Sequence, residues 1–150
     1  MPARLATALT LAFAAPALAQ EQTPLTETNI SPMTVIVTDM TEDDCWTDPG
    51  AAADIARAEL GKTTIELVET EAEAETAFVI AVQARRAEAG CYGSVRLAVG
   101  AMIDWKDNGE VAGTLQAVSN IFEGRETVDE FVADGLAQSI PALADYLPDT

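Results

Sequence analysis

The 150-residue chain has no histidine. Imidazole is the commonest general base near neutral pH and the usual partner of a nucleophilic serine or cysteine. Its absence removes Ser-His and Cys-His hydrolysis, His-ligated metal centres and the usual sensor of mild acid. Ser31, Ser94, Ser119 and Ser139 lack a nucleophile-elbow sequence, and no Gly-rich phosphate loop is present. Positive charge is scarce too: 8 Lys and Arg stand against 25 Asp and Glu, a net charge of −17. Nucleic acid and anionic lipid are bound chiefly through Lys and Arg, so neither is an expected partner. A basic partner or a cation suits such a chain better.

Long apolar runs are also few. Leu5–Leu18 is the longest, and it is too short for a membrane-spanning helix. It follows a lone cation, Arg4, and closes on the small-x-small triplet Ala17-Leu18-Ala19. That is the build of a secretory signal peptide, with cleavage expected after Ala19. The expected location is periplasmic or secreted, with no membrane anchor, since no cysteine lies near the cut for lipid attachment. Arg4 leaves with the leader and all 25 acids remain, so the mature charge is 7 positive against 25 negative, net −18.

Cysteine is limited to Cys45 and Cys91, with no C-x-x-C spacing. In an oxidising compartment the pair is expected to form a disulfide across 46 positions. Such a long loop adds about 3–4 kcal/mol of stability when closed.

Three regions are expected: a signal peptide over 1–19, a flexible leader over 20–32 and one domain over 33–150. The leader is polar and carries Pro24 and Pro32. Met33 to Met40 is β-branched and apolar, which predicts a strand. Asp48-Pro49-Gly50 is a helix start, with Asp48 as cap and Pro49 in the first turn. Ala52, Ile55, Ala56 and Leu60 share one stripe, which predicts a helix over 49–60. Thr63 to Val68 reads as a second strand, and Glu69 to Glu75 as a solvated acidic connection. Three alternating segments follow at 76–85, 92–104 and 111–122. Thr127 and Glu130 form a capping box before a helical stripe of Val128, Phe131, Val132, Leu136, Ile140 and Leu143. Pro141 is expected to kink or split that helix.

The order is β-α-β-β-β-β-α. It predicts an α/β (α+β) domain, a single mixed five-stranded sheet with both helices packed on one face. The hairpin near Asn108-Gly109 is expected to use a three-residue loop, Asp107 to Gly109. That register pairs Lys106 with Glu110, Ala101 with Leu115, Val99 with Ala117 and Val95 with Ile121, matching the apolar faces of the two strands.

Candidate chemistry is sparse. The densest acidic cluster is Asp39, Glu42, Asp43, Asp44 and Asp48, just past a strand end. Several carboxylates on one loop suit a cation, although the spacing lacks the alternation and the Gly of a calcium loop. The competing assignment is a solvated loop with Asp48 as a helix cap. Trp46 and Trp105 lie in or beside loops, either as sheet-edge packing or as interface anchors for a protein partner. No catalytic residues, metal ligands or cofactors are assigned. The sequence therefore predicts an exported, non-catalytic envelope accessory or interaction protein that binds a macromolecule. The alternative is a cation- or small-ligand-binding module built on loop 39–48. The oligomeric state is left open.

Overall fold

A computed structural model describes residues 26, 28–104 and 110–146. Six elements follow a short 3-10 turn at Thr28–Ile30: β1 (Met33–Thr41), α1 (Pro49–Leu60), β2 (Thr76–Ala87), β3 (Gly90–Asp104), β4 (Glu110–Arg125) and α2 (Asp129–Tyr146). The sheet runs β1-β2-β3-β4, with β1 and β2 parallel and the later pairs antiparallel. The fold is a mixed α+β domain with two helices.

Alternation along the strands builds the core. Phe78, Ile80, Val82 and Ala84 of β2, with Val95, Leu97 and Val99 of β3, turn one face inward and are buried. Ala52, Ala56 and Leu60 of α1 and Val132, Leu136, Ile140 and Leu143 of α2 meet that face in one cluster. The two helices also pack on each other, so both cover the same side.

Start of α1 follows the sequence signals. Asp48 Oδ1 accepts from the Ala51 N–H at 2.9 Å, and Pro49 occupies the first turn. Pro141 lies inside α2, yet the helix continues to Tyr146. Its position is exposed, so water can take the freed carbonyl, while Leu136, Ile140 and Leu143 hold the helix to the core on either side of it. The segment read as a flexible leader contributes to the fold from its last turn. Ile30 is fully buried, its carbonyl accepts from the Thr76 hydroxyl, and Pro32 O accepts from Thr76 N–H.

The sheet has four strands, not five. Thr63 to Val68 makes a single parallel bridge, Met33 with Leu67, on the outer side of β1. Met33 N–H donates to Glu66 O at 2.8 Å, and Val68 N–H donates to Met33 O at 2.9 Å. This short segment places only Ile65 and Leu67 against the core. Thr76–Ala87 buries four apolar side chains and pairs on both flanks, so it takes the inner place beside β1.

The β3–β4 register also differs from the expected one. Ala101 faces Gly113, Val99 faces Gln116 and Val95 faces Asn120, with an irregularity between Val99 and Gly100. Residues 105–109, and so the turn itself and Trp105, lie outside the described residues. Face-matching fails because the helix layer contacts β3 but gives β4 little cover, leaving Leu115 and Ile121 exposed. The anchor is Phe122 instead. It is buried, with its ring centroid 5.4 Å from that of Phe131, which turns its neighbour Ile121 to the opposite face.

Candidate functional site

Cys45 and Cys91 are joined, with Cα atoms 5.8 Å apart. The parallel placement of β2 explains how they meet. β1 ends beside Ala84, β2 reverses at Glu88-Ala89, and Cys91 falls opposite Arg86 at the same end of the sheet. Close packing there requires glycine at Gly93, since a Cβ would lie 2.0 Å from Gln83 O.

The loop between β1 and α1 is tied down from several sides. Asp43 and Asp44 both adopt positive φ, 57° and 53°. Arg86 donates to Asp43 O and to Glu126 O, each at 3.1 Å, so it bridges this loop to the approach of α2. Asp129 completes the tie. Asp48 N–H donates to its Oδ1 at 2.8 Å, and the Thr47 hydroxyl donates to its Oδ2 at 2.9 Å. Burial pushes the Asp129 carboxyl up, but bonds from the Asp48 N–H, the Thr47 hydroxyl and N–H and the Thr127 side chain outweigh it and hold it below the ordinary carboxylate value.

These contacts place the sequence-derived acids. Asp39 Oδ1 accepts from Thr41 N–H at 2.9 Å, Asp48 caps α1, and Glu42 lies 3.4 Å from Arg85 in an exposed ion pair. Asp43 and Asp44 are exposed. Among the described residues no group of three or more Asp, Glu or Cys side chains converges as a metal site. Trp46 is 5 % exposed and part of the core, so it is not presented to a partner. Its Nε1 is buried without a hydrogen-bond acceptor among the described residues.

A second region emerges on the sheet face away from the helices. Side chains of Ile36, Val79, Ala81, Ala98 and Met102, with Arg96, line a groove of about 440 Å3. Glu71, Ala74 and Glu75 form part of its rim. The floor is low because Ala and Gly recur at face positions of β2 and β3, including Ala77, Ala81, Ala98 and Gly100. Arg96 Nη2 donates to Thr114 Oγ1 at 3.3 Å across β3 and β4. Recurrence of small residues on the second face was the sequence signal for this groove. Arg86, within the only basic pair of an acidic chain, was the corresponding signal for the clamp.

No family model and no curated protein matches the chain. Among solved structures, it is similar to a PelC dodecamer from Paraburkholderia phytofirmans at 16 % sequence identity and a TM-score of 0.45, over 85 % of this chain and 93 % of that one.

Proposed function

We infer that this is an exported, non-catalytic protein that binds a macromolecular partner across the uncovered face of its sheet. The carrying observation is the groove of about 440 Å3 on the side opposite both helices, apolar along its floor and edged by Arg96, Glu71 and Glu75. A concave apolar surface with a few charged groups at its margin has the make-up of a recognition site. The disulfide suits an oxidising compartment, and no helix among the described residues is long and apolar enough to cross a membrane. The expected leader, cleaved after Ala19, supplies the route of export. The second reading, a cation held by loop 39–48, has less support. Asp39, Glu42 and Asp48 already serve a turn, an ion pair and a helix cap.

The test is capture from an envelope extract by the mature chain and by a variant carrying Arg96→Glu and Met102→Glu. Both sites are exposed, so the fold should persist. Capture that disappears with the variant supports the groove. Capture that is unchanged by it removes the groove as the binding surface.

A further inference from the structure

The two edges of the sheet are finished differently. On the outer side of β1, Leu67 bridges Met33, and the Asp39 carboxylate takes the Thr41 N–H further along. Charged and covered edges of this kind resist pairing with other chains. β4 carries a bulge at Leu115 but neither charge nor cover from there to Phe122. Among the described residues nothing pairs with its outer side. The twelve residues Val111–Phe122 contain no charge and no proline. From Ala117 to Ile121 every residue is exposed, on both faces of the sheet, and Ile121 is 86 % exposed. A long, uncharged edge strand with both faces bare is a template for strand addition.

We propose that β4 pairs antiparallel with β4 of a second copy of this chain, about a two-fold axis at Val118. Charge selects that occupant. The chain carries a net charge of −17, so two copies repel over most of their surface. The β4 edge is a surface on which a second copy meets no like charge, and it offers a basic partner no acid to bind. The strand is also self-complementary in this register. Gln116 faces Asn120 of the partner subunit, Ala117 faces Ser119 of the partner subunit, and the bulged Leu115 lies beside Ile121 of the partner subunit. Shifting the axis by one residue to Ala117 sets Ile121 against a glycine, Gly113, and shifting it to Ser119 sets Leu115 against Glu123. The unbroken pairs span five residues, Gln116 to Asn120, about 17 Å of strand, and the bulge at Leu115 limits the ladder at each end. Such a strip buries well under the roughly 800 Å2 per partner of standard interfaces, so the dimer is weak and reversible. This inference goes beyond the partner reading and does not depend on it.

Sedimentation equilibrium of the mature chain, from about 10 µM to about 1 mM, reads the association. The expected result is a monomer–dimer equilibrium that tightens as salt rises from about 0.05 to about 0.5 M, because salt screens the repulsion between copies. Val118→Lys, at a position 41 % exposed, sets two ammonium groups face to face at the axis and removes the dimer. Mixing Val118→Lys with Val118→Glu chains restores a heterodimer, since position 118 meets itself. Met40→Lys, on β1, leaves association unchanged. Circular dichroism melts confirm that the variants are folded, and the salt response of the unsubstituted chain tests the same claim without any variant. A monomer at every concentration, association that weakens with salt, an assembly that survives Val118→Lys, a mixture no better than either variant alone, or loss of association in Met40→Lys overturns the proposal.

Discussion

Asp129 is the side chain on which the ends of both helices depend. Its carboxylate accepts from the Thr47 and Asp48 segment that opens α1, while it stands itself at the first residue of α2. Because its folded pKa lies below the unfolded value near 3.8, ionisation favours the folded state. That contribution is complete at neutral pH and is lost as pH falls below about 4. Asp129→Asn is therefore expected to lower stability by about 1–3 kcal/mol at pH 7 and by distinctly less at pH 3, read by urea unfolding at both values. Equal losses at the two pH values would contradict the assignment. Gly93→Ala is expected to cost about 3 kcal/mol or more, since the added Cβ meets the backbone of β2 at 2.0 Å; a melt close to that of the unsubstituted protein would refute the close approach. Asp48 was legible as a cap because its role is local and depends on Pro49 and Ala51 alone. Asp129 was not, because its partners Thr47 and Asp48 lie about 80 positions away and only the fold brings them to it.

Elements show the same division between local and distant causes. α1 was readable to the residue, since its cap, first-turn proline and apolar stripe all lie within thirteen positions, 48 to 60. The segment at 63–68 was misread as a strand because its composition suits one, while sheet membership depends on how many flanks a segment can fill. In β4 the apolar set Val111, Leu115, Ala117 and Ile121 implied a buried face, but the helix layer gives this strand little cover and Phe122 sets the register. Two substitutions on adjacent residues check this. Ile121→Asp should change stability by no more than about 0.5 kcal/mol, whereas Phe122→Ala should cost about 3–5 kcal/mol. Chemical unfolding of both variants decides it, and the reverse order would restore the face-matched register.

Over the whole molecule, the pairing of Cys45 with Cys91 follows from strand direction. Had the strand expected at 63–68 been the parallel neighbour of β1, with a tight reversal after it, the two cysteines would have stood at opposite ends of the sheet. With Thr76–Ala87 as the parallel strand they share one end, and the bond closes a span of 46 residues. Cys45→Ser with Cys91→Ser should cost about 3–4 kcal/mol, read as a lower urea midpoint; an unchanged midpoint would mean the link adds nothing to the fold. Two cysteines in the sequence carried the expectation of the disulfide, and the lack of histidine excluded the chemistry that imidazole carries. The groove was not legible in the sequence, because a groove exists only once β1, β2 and β3 lie side by side. Met40 and Met102, 50 % and 58 % exposed, both lie on that face, Met102 in the groove and Met40 toward its far end. Hydroxyl-radical footprinting of the protein, free and in complex with whatever it captures from the envelope, measures their accessibility directly. Strong protection of Met102 in the complex is the predicted result, and oxidation of Met102 at the same rate in both states would contradict recognition through this face.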